Sequence, residues 1–202
     1  ANAWTISSAT NPLIGARTMR ADNIGTASNG TVSSSVSTLT TAINGLPANA
    51  YVHFEQQYVW EYDGWDGGIV QYTTNNGVSW TAFSNAQMEG ELYPGLATGD
   101  SSIPFAGLFA YTGDSFGEGS TRISLAALAG MNVKIRFHAA SDESFSAGNP
   151  DGWWIDNFRV YTCIPVVAGS VTVAPTTADV TEGGTTDTYT VVLDSVPASN
   201  VN

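Results

Sequence analysis

The chain has 202 residues, enough for one sizeable core, and its 43% hydrophobic content argues against disorder. Only 12% of it is charged, and 18 acids oppose 6 bases, for a formal charge of -12. That balance argues against nucleic acid as a partner, because such affinity comes from Lys and Arg displacing counterions; it suits hard cations or neutral partners.

A single cysteine, Cys163, allows no disulfide within the chain. No apolar run approaches the roughly 20 residues that span a bilayer, so no membrane span is expected. The start at Ala1-Asn2-Ala3-Trp4 carries no signal peptide and fits a mature or trimmed terminus. Scarce lysine with abundant Thr, Ser, Asn and Gly gives an extracellular, bacterial character.

Helical periodicity is almost absent. The stretch 34–48 is Ser- and Thr-rich with poor apolar spacing, and Val52–Trp60 reads as a strand. It runs into the acidic, glycine-rich signature Glu61-Tyr-Asp-Gly-Trp-Asp-Gly-Gly68. Strands Gly68–Thr73 and Val78–Phe83 flank Thr74-Asn-Asn-Gly77, whose Asn-Gly supplies the positive φ of a tight hairpin. Leu125–Gly130 reads as one helical turn stopped by glycine.

Asn132–His138 alternates most clearly, with Val133, Ile135 and Phe137 on one side and Lys134, Arg136 and His138 on the other. This predicts an antiparallel sheet with one solvated face. A second signature, Asp151-Gly-Trp-Trp-Ile-Asp-Asn157, leads into a last strand to Tyr161, with Phe158 and Val160 inward. Composition then changes: residues 164–170 read as a linker, and 171–202 as the opening of a second β module. Short strands between turn clusters predict an all-β antiparallel sandwich or barrel over 1–163.

The two signatures carry the chemistry. Calcium takes six to eight oxygens at roughly 2.3–2.6 Å, and Glu61, Asp63 and Asp66 are natural ligands if the signatures lie side by side. Asp156 shares strand parity with Phe158 and Val160, which aims it at the core, where a carboxylate needs a metal, an Arg or backbone amides. The alternative is an acidic turn plus a hydrogen-bonded core Asp.

Flat rings beside polar groups suit sugars. Trp65, between two acidic-glycine pairs, is the most exposed candidate, with Tyr62 and Trp153 beside it; Trp80 and Trp154 read as core. Adjacent Trp153 and Trp154 point opposite ways in an extended chain, so one at most is expected inside. His53 and His138 read as sheet-surface residues, and Gly113-Asp-Ser-Phe-Gly117 only partly matches a nucleophile elbow. Asn29-Gly-Thr31 is a glycosylation sequon, meaningful only in a eukaryotic secretory host. No catalytic machine is expected.

The ordered series Tyr62–Trp80, Phe109…Gly113, Ile123…Gly130, Lys134–Phe137 and Gly152–Asn157 resembles a MAM-like jelly roll. Such domains accompany large secreted bacterial proteins, including the C-terminal region of immune inhibitor A-type metalloproteases. The resemblance implies a jelly-roll sandwich and a structural calcium near an Ile-Asp-Asp motif. Here that motif reads Ile155-Asp156-Asn157, so an amide replaces the second acid. Residues 171–202 resemble the first strands of a Calx-beta-type repeat. The expectation is a non-catalytic, calcium-stabilised extracellular module that binds polysaccharide within a larger hydrolase or adhesin. The alternative is a protein-interaction or spacer domain.

Overall fold

The computed structural model describes residues 4–7, 13, 15–22, 33–98, 102–142, 152–163, 170–180, 182–184 and 186–194. The sequon at Asn29, the residue Asp151 and most of the linker lie outside them. The chain divides into two compact units, Ala1–Cys163 and Ile164–Asn202.

The first unit is an all-β sandwich of two antiparallel sheets. Strands β1 (Thr5–Ser7), β2 (Thr18–Asp22), β3 (Ser33–Thr38), β4 (Ala50–Val59), β5 (Gly67–Thr73) and β6 (Thr81–Ala82) open the chain. The short β7 (Met88–Gly90), β8 (Gly95–Leu96) and β9 (Phe109–Ala110) follow. Then come β10 (Gly119–Ser124), β11 (Lys134–Ser141) and β12 (Gly152–Thr162). One sheet runs β1-β2-β12-β4-β10-β7 and the other β3-β11-β5-β6, while β8 and β9 pair with each other.

Strict alternation builds the larger sheet: Val52, Phe54, Gln56 and Tyr58 of β4 are buried, and the residues between them are half-buried. The inner faces meet through aromatic edges, Phe54 against Phe137 at 5.1 Å and Trp153 against Phe137 at 5.6 Å. A buried ring of this size removes roughly 200 Å² from water, about 5 kcal/mol in transfer terms.

A buried polar seam crosses this core. Trp153 Nε1 donates to Gln56 Oε1 (2.9 Å), and Gln56 Nε2 to Thr121 Oγ1 (3.0 Å). Thr121 Oγ1 donates to the Glu91 carbonyl (2.7 Å), and the Tyr111 hydroxyl lies 2.9 Å from the same Oγ1. Satisfying these atoms internally fixes the register of β12, β4 and β10 more sharply than apolar packing would.

The positive-φ turn and the helical turn form where the sequence places them: Asn76 and Gly77 have φ of 59° and 95°, and a single 3-10 turn covers Ala126–Leu128. The strand expected over 78–83 shortens to Thr81–Ala82, so the β5–β6 connection is a longer loop than a tight hairpin. The solvated outer face predicted for the β11 sheet does not form at its centre. Phe105 packs edge-on against His138 on that side, and β5 is buried throughout except for Tyr72. His138 is therefore not a surface residue. It is 5% exposed, edge-on to Phe105 (5.5 Å), and bonded to Ser34 Oγ (2.7 Å) and Gln71 Oε1 (3.2 Å). Burial, with Arg136 nearby, lowers its pKa to about 4.

Trp153 and Trp154 do point to opposite faces, yet both are buried. Trp154, opposite half-buried Gln57, is covered on the outer side, with the Arg20 guanidinium 4.8 Å above its ring. Trp80 is half-buried under Arg136 at 4.3 Å rather than in the core.

In the second unit, β13 (Val171–Ala174) pairs antiparallel with β14 (Thr190–Leu193), and Asp194 accepts from the Ser170 and Thr172 hydroxyls. All eight residues of this two-stranded ribbon are exposed.

Candidate functional site

Three segments bring acids together at one end of the sandwich. Glu61 follows β4, Asp66 immediately precedes β5, and Asp142 immediately follows β11. Each offers a carboxylate oxygen, all within 4.8 Å of one another. The register explains the meeting. Gly67 pairs with Ala140 at the last rung of the β5–β11 ladder, so the residues just past that rung are neighbours. Asp66 Oδ1 accepts the Asp142 backbone N–H (2.8 Å), capping the ladder.

The glycines of the signature are there for packing. A Cβ at Gly68 would overlap the Trp153 ring, and one at Gly64, which has a φ of 77°, would overlap the Leu96 carbonyl. Only glycine lets the ring lie on β5 and the turn close against β8.

The electrostatics favour a cation. Two carboxylates about 5 Å apart repel by roughly 3 kcal/mol at an effective dielectric near 20, less where water screens them. Asp66 is fully buried and Glu61 half-buried. Burial raises the Glu61 pKa, helped by the negative charges of Asp142 and Asp63. Its Oε2, shut off from water, has no hydrogen-bond partner among the described residues. An all-oxygen, multiply charged donor set fits a hard divalent ion such as calcium.

The structure separates the predicted ligands. Glu61 and Asp66 converge; Asp142, absent from the predicted set, is the third member. Asp63 is exposed on the turn with φ 62° and stands outside the trio. Asp156 and Asn157 are elsewhere. Asp156 pairs with Glu55, six residues before Glu61, roughly 15–20 Å away at ~3.3 Å per strand residue. A bulge between Asp156 and Arg159, with Asn157 at φ 47°, breaks strict alternation. Asp156 thus takes the outer face of Glu55, opposite to the side of Phe158 and Val160, and its Oδ1 accepts the Asn157 N–H (2.7 Å).

The aromatic candidates separate as well. Tyr62 is 57% exposed and Trp65 39% exposed, whereas Trp153 is fully buried and is excluded as a binding platform. Tyr62 lies across Gly113 and lines a shallow groove of about 470 Å³ with Asp63, Leu96, Thr98 and Thr112. Trp65 is outside that lining.

Ser115, the serine of the partial elbow, is bound to the β4 backbone: its Oγ accepts the Tyr58 N–H (3.1 Å) and donates to the Gly117 carbonyl (2.7 Å). This is a loop-fixing role. Neither the family models nor the curated proteins compared with this chain gave a match, so the site is read on its chemistry alone.

Proposed function

We propose that the first unit is a non-catalytic, calcium-stabilised extracellular module that binds polysaccharide as part of a larger secreted hydrolase or adhesin. One observation carries the reading: a trio of carboxylates at the sandwich end directly adjoins an exposed aromatic groove. Glu61, Asp66 and Asp142 would hold the ion, which supplies positive charge where three strand ends meet. Tyr62 would offer an apolar face to a sugar ring, with Asp63, Thr98 and Thr112 as the hydrogen-bonding rim. The sandwich would be a jelly roll, a reading that the alternation of β2, β3, β4 and β5 between the two sheets supports.

Affinity electrophoresis over a panel of neutral and acidic glycans tests the function. Retardation by at least one glycan, lost in Tyr62→Ala, is expected; no retardation by any glycan sinks the sugar assignment.

A second reading, a protein-docking domain, draws on exposed Leu96, Leu108 and Phe109 around the β8–β9 pair. Leu108→Ser with Phe109→Ser, both outside the Tyr62 groove, would then abolish capture of the partner protein and leave glycan retardation untouched.

A further inference from the structure

The outer face of the six-stranded sheet carries a second polar constellation. Cross-strand pairing sets Glu89 beside Arg122, Arg122 beside His53, and His53 beside Arg159, one row across β7, β10, β4 and β12. Two of the chain's 6 basic residues, in a protein of charge -12, thus flank a single imidazole. The adjoining row holds Tyr51 and Tyr161, stacked at 6.0 Å, with Arg122 over the first ring (5.0 Å) and Arg159 towards the second (5.8 Å). Together His53, Glu89, Ser120, Arg122, Arg159 and Tyr161 line an open, mainly polar groove of about 360 Å³.

One detail shows donor capacity left over, and a second shows an imidazole that is incompletely satisfied. Arg122 is ion-paired with Glu89, but Arg159 is exposed and makes no ion pair among the described residues. His53 Nε2 lies 3.9 Å from Glu55, while its Nδ1 is shut off from water without a hydrogen-bond partner among the described residues. The groups facing His53 are Arg122 and Arg159 across the strands, Glu55 and Tyr51 along its own, and Glu89, Asp156 and Tyr161 beyond. Burial lowers the His53 pKa most; Arg159 lowers it further, ahead of the opposing pull of Glu55, and Arg122 adds to the lowering. The field at the imidazole is therefore positive despite the acidic chain.

We infer that this groove binds a carboxylate-bearing sugar unit, a uronate, with Arg159 pairing the carboxylate, His53 and Ser120 as hydrogen-bonding neighbours, and Tyr161 beside the pyranose ring. A planar guanidinium matches a carboxylate through two parallel hydrogen bonds, and Arg stacked near aromatic rings is already oriented for it. The inference rests on the glycan-binding reading and narrows it to acidic polysaccharide, at a site separate from the Tyr62 groove.

The chain has only two histidines, so the imidazole signals of His53 and His138 are separable by NMR, with buried His138 an internal control. Titrating the protein with trigalacturonate at low ionic strength should raise the His53 pKa, because a bound carboxylate favours the imidazolium, and leave His138 unmoved. The fully methyl-esterified trisaccharide should give no shift. Arg159→Gln, a change at an exposed position, should weaken trigalacturonate binding about tenfold, the loss of one charge-assisted pair; Tyr62→Ala should not. A silent His53, or binding of acetate as tight as that of the trisaccharide, overturns the uronate site. Loss of trigalacturonate binding in Tyr62→Ala with His53 silent would overturn it too, while keeping the glycan-binding function.

Discussion

The stretches 61–68 and 152–157 are built from the same residues, acids, glycines and tryptophans, and the fold uses them in opposite ways. The first lies between β4 and β5 and enters the ladder only at Gly67: its acids converge, and Tyr62 and Trp65 reach water. The second lies within β12, flanked by β2 and β4, and both its tryptophans are buried. Position relative to the ladder, not composition, decides which of the two is surface. The Trp153 ring, resting on Gly68, joins them.

That contrast can be broken most forcefully by truncation. Trp153→Ala should cost about 3–5 kcal/mol in urea unfolding, as for a large aromatic removed from a packed core, while Trp65→Ala should stay within about 0.5–1 kcal/mol. Equal losses would erase the distinction.

Next in size is the ion. Calcium at one hundred times its dissociation constant should stabilise the protein by about 2.7 kcal/mol, and EGTA should reverse the rise in Tm. Asp142→Asn should abolish the calcium response and Asp156→Asn should preserve it. The opposite outcome would return the site to the second signature, and an unchanged melting curve would remove the ion altogether.

A smaller effect is the pH dependence. The folded Glu61 pKa is raised above the ordinary 4.5, so the native state holds this proton more tightly than the unfolded chain. Its contribution is therefore favourable below pH 4.5 and is lost as pH rises through the raised value. In EGTA, replacing Glu61 by Gln should flatten that decline in Tm; in calcium, where the ion favours the carboxylate, the same variant should lower Tm at neutral pH. The smallest expected change is in Tyr62→Ala, whose stability should match the parent within about 0.5 kcal/mol.

Much of the sandwich was legible because period-2 alternation in β4 and β11, the Asn-Gly turn and the glycine-stopped turn at 126–130 are local signals. Two of the three acids of the candidate metal site were legible for the same reason, Glu61 and Asp66 being close in sequence. Asp142 was not. It follows Ala139-Ala-Ser141, weak strand formers, and only the pairing of Ala140 with Gly67 reveals that β11 runs far enough to deliver it. Asp156 misled because parity counting assumes an unbroken strand, and one bulge after it reverses the face of everything beyond. His138 misled because its pattern is that of a solvated face; the cover comes from a segment some 30–40 residues away with no local mark in the strand itself. The polar seam through Gln56 and Thr121 likewise depends on which strands are neighbours.

The sealing of β5 on both sides has a further consequence. Its amide protons can meet water only if the cover around Phe105 lifts away or the sheets part, so this strand should take up deuterium last in hydrogen exchange. Asp66 stands at its head. An ion gripped there would be fastened to the least yielding strand of the molecule, and a load applied at that end of the sandwich would pass into the core before it reached the outer strands.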